Sequence, residues 1–492
     1  MTPTTVNYTA APTLAFNSTA ITGDATLDGS NVIFSLGALS IGSNTLTTQG
    51  TNNVTAGATT LSGDASFNND NGLTLGALGD GGPARTITKN GTGTLTLGTA
   101  ATLLTAGTAI NVNNGVLVAN VTGALSQTAT TANTTTVTVN NGGELRGMVV
   151  GSFKSTGTVT PSEAINLADG TVRLSNAATT DFGGNLTYAS GSLILDRTAG
   201  GGTLTQTMNS LSIGSASLTP LQANYTSAPT LAFTSTTITG DATLDASDVM
   251  FSLGVLGIGA NTLTTQGGRA FTAGVTTLTG AATFSIGATS PLTVAAITGT
   301  GNSLTLQGAG DFAQTGVFDG IGSSLVLDGN YTGTATLSGV NTYTGDTTIN
   351  GGILAVGSDT ALGATGVGGA TLKFTGGTLK TTAAITSNRP VIVDTGDGII
   401  NTNGFDLTLG GTFSGTGSLN KNGAGTLTIS GISTNTAAIH VTGGALVGNT
   451  NSLKGDVTLS NDTNVTFDQS NDGTYANVVR SEEHTSELQS LV

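Results

Sequence analysis

The chain repeats a long block of its own sequence. Residues 7–50 read NYTAAPTLAFNSTAITGDATLDGSNVIFSLGALSIGSNTLTTQG, and residues 224–267 read NYTSAPTLAFTSTTITGDATLDASDVMFSLGVLGIGANTLTTQG. The apolar Leu, Ile and Phe positions are kept in place, as expected if they face one core. Repetition of this kind is typical of solenoids, in which stacked units bury a continuous core.

A shorter unit occurs three times, with copies that begin at Lys89, Gly333 and Lys421. Each copy has a Thr-Leu-x strand, a polar corner, a β-branched strand, a tight Asn-Gly or Gly-Gly turn and a final apolar strand. The leucines of the first and last strands are Leu95 and Leu117, Leu337 and Leu354, and Leu427 and Leu446. Their separation of about 20 residues fits one coil of a solenoid, with length differences absorbed in loops.

Within the strands the side chains alternate with a period of two, as in TLTL at 94–97 and TLTI at 426–429. The aliphatic residues share one face, which we expect to be buried, and the threonines share the face that meets water. Corners such as 113–115 and 140–143 are rich in Asn and Gly, which tolerate positive φ. Only residues 161–170 suggest one or two helical turns. The sequence predicts an all-β, elongated, right-handed parallel β-helix.

Composition excludes several functional classes. Charged residues make up 8% of the chain, against roughly a quarter in ordinary globular proteins. The net charge is −15, which disfavours nucleic acid because that partner needs clustered Lys and Arg. Cysteine is absent, so disulfides, thiol catalysis and cysteine-based metal sites are excluded. We expect no cofactor.

The segment GVNTYTGDTTINGGIL at 339–354, followed by ALG at 361–363, is similar to the autotransporter-associated β-strand repeat, also called the passenger-associated transport repeat. The copies from Lys89 and Lys421 lack the NTYTG element. The resemblance implies a secreted, surface-exposed β-helical passenger that is associated with the outer membrane. It implies no catalytic residue, and the membrane barrel expected of an autotransporter is absent from this chain.

The repeats predict four regions: a first β-helix block at 1–217, a second at 218–330, a repeat-bearing β-helix at 331–479 and a tail at 480–492. Met1 takes the place that Leu218 has in the second copy, so we expect the chain to begin inside a repeat of a longer reading frame. The tail reads RSEEHTSELQSLV and resembles the translation of a sequencing adapter, so it is excluded from fold reasoning.

Candidate catalytic residues are few. His440 is the one histidine outside the tail, and strand alternation places it on the wet face, where a structural role is the more frequent case. Asp394 and Asp397, with Arg389 nearby, are the closest local acid pair for polysaccharide cleavage; the alternative is a polar corner. We assign no catalytic residue.

Binding motifs are equally weak. The segments 68–72 and 308–311 resemble calcium loops only in part and are more typical of turns. Tyr343 is the best candidate for stacking on a sugar, although it belongs to the repeat pattern and is expected to be structural. A face of Thr-x-Thr pairs could bind ice or a crystalline polymer if the pairs are aligned over several coils. We assign no cofactor-binding or metal-binding residue.

These observations predict a non-enzymatic internal fragment of a passenger, acting as a structural stalk with a further role in adhesion. The expected partners are an unknown surface ligand or polysaccharide and an outer-membrane translocator barrel, but no nucleic acid. The alternative is a β-helical polysaccharide lyase or hydrolase. It would be favoured by several Asp, Glu, Lys or Arg side chains converging in one groove.

Overall fold

The computed structural model describes residues 10–99, 104–125, 135–154, 163–199, 202–365, 370–460 and 462–482. The chain divides into two compact units, Met1–Gly254 and Val255–Val492, which are described separately below. In each unit the strands pair in parallel, coil upon coil, and form a β-solenoid. Among the described residues no helix has the length and apolar character needed to cross a membrane.

The first unit has these strands in its described part: β1 (Thr13–Ala15), β2 (Ser18–Ile21), β3 (Ala25–Asp28), β4 (Ile33–Ser35), β5 (Ala38–Ile41), β6 (Thr45–Gln49), β7 (Val54–Thr55), β8 (Thr59–Leu61), β9 (Ala65–Asn69), β10 (Leu73–Leu75), β11 (Leu78–Gly79), β12 (Thr86–Asn90), β13 (Thr94–Leu97), β14 (Ala109–Val112), β15 (Gly115–Ala119), β16 (Thr136–Asn140), β17 (Gly143–Gly147), β18 (Ala164–Asn176), β19 (Thr180–Asp181), β20 (Asn185–Arg197), β21 (Thr205–Ile213), β22 (Ser217–Leu218), β23 (Leu221–Ala223), β24 (Thr230–Ile238), β25 (Ala242–Asp245) and β26 (Met250–Ser252).

The second unit has one 3₁₀ turn, η1 (Asp359–Leu362), and these strands in its described part: β27 (Val255–Ile258), β28 (Thr262–Gln266), β29 (Phe271–Leu278), β30 (Ala282–Ile286), β31 (Leu292–Thr298), β32 (Ser303–Gly308), β33 (Phe312–Gln314), β34 (Ser324–Tyr331), β35 (Thr334–Leu337), β36 (Thr347–Ile349), β37 (Ile353–Val356), β38 (Leu372–Phe374), β39 (Thr378–Thr381), β40 (Ile385–Ser387), β41 (Val391–Val393), β42 (Gly398–Asn401), β43 (Leu407–Leu409), β44 (Phe413–Gly415), β45 (Leu419–Asn422), β46 (Thr426–Ile429), β47 (Ile439–Val441), β48 (Ala445–Gly448), β49 (Val457–Leu459), β50 (Asn464–Phe467) and β51 (Val479–Ser481).

The core of the first unit is a column of stacked aliphatic side chains. Leu73 of β10 lies opposite Leu95 of β13, which lies opposite Leu117 of β15. Leu117 in turn lies opposite Leu145 of β17. None of these four side chains is more than 2% exposed, whereas Thr94 and Thr96 on the other face of β13 are half-buried. The predicted parallel β-helical core with a period of two is confirmed.

Coil length in the second unit follows the predicted spacing with one adjustment. Leu427 of β46 lies opposite Leu446 of β48, as their spacing in the sequence predicts. In the copy with the shortest spacing, however, Leu354 lies opposite Ala335 and Leu337 lies opposite Val356. Leu337 and Leu354 therefore occupy neighbouring core columns, which is why their spacing understates the length of this coil.

The expected helical turn at residues 161–170 is wrong where the structure describes it. Residues 161 and 162 lie outside the described residues, and strand β18 begins at Ala164. Ile165 and Leu167 lie opposite Val137 and Val139 of β16. Alternating aliphatic residues in register with the coil below determine the strand, and this overrides a weak local helical tendency.

The two long copies also share local structure in the first unit. The Thr19 hydroxyl donates to the Leu36 carbonyl at 2.8 Å, and the Thr236 hydroxyl donates to the Leu253 carbonyl at 2.8 Å. Phe34 and its counterpart Phe251 are both at most 1% exposed. This retained phenylalanine is therefore a core residue in both copies, as expected.

The block boundaries at 217, 330 and 479 follow the sequence repeats and stay predictions. In the predicted tail, Arg480 and Ser481 lie in β51, opposite Thr458 and Leu459 of β49. The rest of the tail, residues 483–492, lies outside the described residues.

Candidate functional site

His440 lies on the outer face of β47, between the buried residues Ile439 and Val441. Its neighbours across the ladder are Asn420 and Thr458. Within the described residues no carboxylate pairs with its ring. This environment offers none of the partners that a general base needs.

The acid pair near Arg389 does not form a site. Asp397 has φ of 62° in a tight turn, and its Oδ1 accepts the backbone N–H of Ser418 at 2.7 Å. The Arg389 guanidinium points elsewhere and donates to Asp359 Oδ1 at 2.7 Å. The side chain of Arg389 is 3% exposed, so it is not available to a substrate.

The turn role of Asp397 recurs throughout both units. Among the described residues, at least eight aspartates each accept the backbone N–H of a residue in the next coil, at or just before the start of a strand. These pairs are Asp24 with Thr45 (2.7 Å), Asp64 with Thr86 (2.8 Å), Asp70 with Thr92 (3.0 Å), Asp311 with Thr334 (2.9 Å), Asp346 with Thr371 (3.2 Å), Asp397 with Ser418 (2.7 Å), Asp406 with Thr426 (2.9 Å) and Asp456 with Val478 (3.0 Å).

Both partial calcium loops contribute to this set, through Asp70 and Asp311. In the first loop the Asn71 amide also donates to the carbonyls of Gln49 and Asn52, at 3.2 and 2.6 Å. Across the described ranges, no three His, Cys, Asp or Glu side chains gather as metal ligands would. The acidic side chains of these loops connect coils.

One charged cluster was missed by sequence reasoning. On the outer face of β17, β18 and β20, Glu144 pairs with Arg146 at 2.6 Å and with Arg173 at 3.1 Å. Arg173 also lies 3.5 Å from Asp196, and these four side chains are 17–34% exposed. The signal in the sequence is the alternation of charges in GELRG at 143–147, but the partners in β18 and β20 are visible only once the register is known.

The chemistry of this cluster is limited by its own pairing. Two arginines face two carboxylates, so the formal charges cancel. The Asn224 amide donates to Asp196 Oδ1 at 2.8 Å, which occupies a further acceptor. A general acid or nucleophile would need a carboxyl that is free to reach a substrate, and here each carboxylate is engaged by arginine.

The buried carboxyl of Glu163 is a different case. The side chain is 0% exposed, its Oε2 accepts the Thr135 backbone N–H at 2.9 Å, and its Oε1 has no hydrogen-bond partner. Burial raises the pKa of Glu163 to about 8, and the Thr135 hydrogen bond offsets this only in part. The group is therefore largely neutral at pH 7.

The signature residues of the repeat form one packed element in the second unit. Asn341 Oδ1 accepts the backbone N–H of Phe318 at 2.8 Å, and its amide donates to the Ala361 carbonyl at 2.6 Å. Tyr343 is 0% exposed, with its ring centroid 4.7 Å from that of Phe318. Asn341 thus joins the NTYTG segment to the ALG segment one coil later.

Tyr343 cannot stack on a sugar, because the fold covers its ring. Its hydroxyl lies 2.6 Å from the Thr347 hydroxyl. Burial raises the pKa of Tyr343 to about 12, so the hydroxyl stays neutral. The expectation that this residue is structural is confirmed by its burial.

Arg389 completes the element from the next coil. Its guanidinium donates to Asp359 Oδ1 and to the carbonyls of Asp359, Leu362, Gly363 and Ala370, at distances of 2.7–3.4 Å. The acceptors on Asp359, Leu362 and Gly363 lie in η1 or directly after it, whereas Ala370 lies shortly before β38. A planar guanidinium suits such a fixed set of acceptors, and it holds the ALG turn against the core.

In the ladder that runs through β28, the aligned Thr-x-Thr face required for an ordered polymer is not sustained. Thr262 and Thr264 of β28 lie opposite Thr283 and Ser285 of β30. The following coils place Thr305 with Gln307 and then Val326 in the same columns. A face that binds a regular lattice needs a Thr-x-Thr pair in every coil. In this ladder the pair is present in β28 and is absent from the coils that follow.

Comparison with known proteins places these elements in a family context. A sequence profile of the passenger-associated-transport repeat matches residues 330–356 and 419–447. These stretches cover the second and third short units. The unit from Lys89 is not among the matched residues.

The Adhesin BmaC autotransporter of Brucella suis biovar 1 (strain 1330) is 45% identical to this chain over 71 residues, which is 14% of this chain and 2% of that protein. No solved structure matches the chain. Two stretches of the β-solenoid in the second unit are thus similar to the passenger-associated-transport repeat.

Proposed function

We propose that this chain is a structural segment of a secreted, surface-exposed autotransporter passenger, with a stalk as its immediate role and adhesion as its downstream role. The proposal rests on the burial of the polar side chains in and around the repeat segment. Asn341, Tyr343 and Arg389 are all buried and hydrogen-bonded within the fold. Their polar groups stabilise the solenoid and are not presented to a ligand.

Adhesion and surface location are supported by the relative named an adhesin autotransporter, although the match covers 2% of that protein. The proposed partners are a translocator barrel in the outer membrane and a surface ligand or polysaccharide. The described residues offer no basic patch that would favour nucleic acid instead.

The proposal also assigns no enzymatic activity. The lyase or hydrolase alternative required charged side chains converging in one groove, and the closest approach to it is the cluster of Glu144, Arg146, Arg173 and Asp196. Because these side chains pair with one another, they favour a structural role over catalysis.

The test is display of residues 1–482, epitope-tagged, between a secretion signal and a translocator barrel in a Gram-negative host. We expect the tag to bind antibody on intact cells and the passenger to resist added protease. The matched control is Leu117→Asp, which places a charge in the core column and should yield a protease-sensitive passenger. A wild-type chain that stays inside the cell, or is degraded like the control, contradicts the proposal.

Adhesion and catalysis are then separated on the same cells. Adhesion predicts more binding to glycan-coated surfaces than cells with the barrel alone show. Catalysis predicts cleavage of soluble polysaccharides by the purified chain that is lost in the double variant Arg146→Gln, Arg173→Gln. Such cleavage would overturn the non-enzymatic assignment, whereas display without binding would limit the role to that of a stalk.

A further inference from the structure

Two lysines are completely buried, one in each unit. Lys89 lies in β12 and Lys421 lies at the same point of β45, and both are 0% exposed. Both stand at the head of the same motif, KNGTGTLT at 89–96 and KNGAGTLT at 421–428. Because a lysine is almost never fully buried without a partner, both sites need an explanation.

The partners of both ammonium groups are backbone carbonyls. Lys89 Nζ donates to the carbonyls of Asn90, Gly91 and Asn114 at 2.8, 2.8 and 2.9 Å. The first two carbonyls belong to the lysine's own turn. The third belongs to the turn of the next coil.

Lys421 repeats this arrangement in the other unit. Its Nζ donates to the carbonyls of Asn422, Gly423 and Gly443 at 3.0, 2.8 and 2.8 Å. Again two carbonyls come from its own turn and one from the next coil. Two separately placed copies of one geometry show that the arrangement belongs to the motif.

The count of donors and acceptors matches the charged amine. An ammonium has three N–H donors and no acceptor. The three carbonyl oxygens around each lysine, called the carbonyl nest below, supply three acceptors. A neutral amine would leave one carbonyl without a donor. Within the described residues no carboxylate forms an ion pair with either lysine, and Asp70 and Asp406 act on them only at longer range.

Glycines of the next coil make room for the three carbonyls and the ammonium group. Gly115 has φ of 66°, and a Cβ there would lie 2.8 Å from Lys89 Nζ. Gly444 has φ of 68° at the equivalent point of the second copy. In the short unit from Gly333, Gly352 has φ of 61° and a Cβ there would meet the ring of Tyr331 at 2.6 Å. An aromatic side chain thus fills the corner in the copy that lacks the lysine.

We propose that the K-N-G-x-G corner is a monovalent-cation site built from backbone carbonyls, which the chain fills with its own ammonium group. Rings of carbonyl oxygens are ligands for cations of the size of ammonium and potassium. Since the three carbonyls come from two coils, the tethered cation holds one coil on the next. This inference does not depend on the proposed surface function.

Substitution at Lys421 tests the site directly. Lys421→Ala empties the nest, Lys421→Met fills it without a charge, and Lys380→Met is the matched control at an outward-facing lysine of β39. Urea unfolding of the full chain is measured in chloride salts of ammonium, potassium and tetramethylammonium at equal ionic strength. We expect both Lys421 variants to raise the unfolding constant on the order of 100-fold, and the control to change it little.

The salts then identify the ligand. Ammonium or potassium should lower the unfolding constant of Lys421→Ala at least about tenfold relative to tetramethylammonium, which is too large for the nest. Neither cation should change the unfolding constant of Lys421→Met. Equal stability of Lys421→Ala in all three salts would overturn the cation site and leave the lysine with a packing role only. Wild-type stability of Lys421→Met would overturn it as well.

Amine labelling of the unaltered chain tests the site without any substitution. If the nests form, Lys89 and Lys421 react with an acylating reagent only after local opening, at least about tenfold more slowly than Lys380, and the difference disappears in denaturant. Labelling of all three lysines at one rate in the folded chain would overturn the proposal, even if the Lys421 variants fail to fold.

Discussion

Substitution of Arg389 tests what stabilises the NTYTG and ALG segments of the repeat. Its guanidinium makes five hydrogen bonds, four to η1 and Gly363 and one to Ala370, and its side chain is 3% exposed. Arg389→Met leaves the Asp359 carboxylate, itself 15% exposed, without its partner. Breaking a buried pair from one side costs about 3–5 kcal/mol. Arg389→Lys keeps the charge but has three donors for five acceptors, so we expect a loss of roughly 2 kcal/mol.

The assay combines urea unfolding with hydrogen exchange read by mass spectrometry. The backbone N–H groups of Asn341 and Ala364, which donate to Thr360 and Tyr343 in the wild type, should lose protection in Arg389→Met. Strands of the first unit should keep theirs. Lys380→Met is the control for loss of a cation on an outer face.

A double-mutant cycle sharpens the test. If the ion pair accounts for much of the effect, Arg389→Met lowers the free energy of unfolding less in the Asp359→Asn background than in the wild type. Full protection of Asn341 and an unchanged unfolding midpoint in Arg389→Met would refute the reasoning, since buried acceptors would then have lost five donors without cost.

Three further predictions concern single groups. Glu163→Gln removes a carboxyl whose pKa rises from 4.5 to about 8 on folding; because the stability it contributes is fully present below pH 4.5 and lost as pH rises through 8, the wild type should lose roughly 4–5 kcal/mol over this window. Glu163→Gln should lack that loss, and parallel urea midpoints against pH would contradict the assignment. Gly363→Ala places a Cβ 2.6 Å from the Tyr343 carbonyl oxygen at φ of 91°, so we expect a cost of about 2–3 kcal/mol in thermal unfolding. Gly329→Ala, where a Cβ meets nothing within 4 Å, is its control. Tyr343→Phe removes the hydroxyl bonded to Thr347 and should cost about 1 kcal/mol; a stability equal to wild type would show that this buried bond contributes nothing.

The fold could be predicted from the sequence because its determinants are local. Alternation in TLTL at 94–97 fixes which face is buried, and glycine corners fix where the chain turns. The recurrence of the same strand pattern at Leu95 and Leu117 then gives the register that the structure shows. The sequence pattern paired Leu337 with Leu354 because both are leucines in similar strands. In the structure they lie in neighbouring core columns, so identical residues do not mark equivalent positions here.

The polar contacts between distant residues could not be predicted in the same way. Arg389 reaches Asp359 across 30 residues, and Glu144 reaches Arg173 across 29. Such pairs depend on loop lengths between strands, which no short-range period encodes. The lysine nests are an intermediate case, since the motif KNGxGTLT is visible twice in the sequence, but its carbonyl partners in the next coil appear only with the register.

The acidity of the chain follows from the same geometry. Each coil of a parallel solenoid begins strands whose first N–H groups need an acceptor, and at least eight of the described aspartates supply one from the coil below. In Asp346, burial raises the pKa, but the hydrogen bonds from Lys373 and Thr371 lower it overall, so this link is kept at neutral pH and weakened as pH falls through the lowered value. An aspartate can do this at a corner because its short side chain reaches a neighbouring backbone without crossing the core. The joining of coil to coil therefore accounts for part of the acidic surplus of this chain. A search for catalytic acids should begin with the carboxylates that accept no backbone N–H.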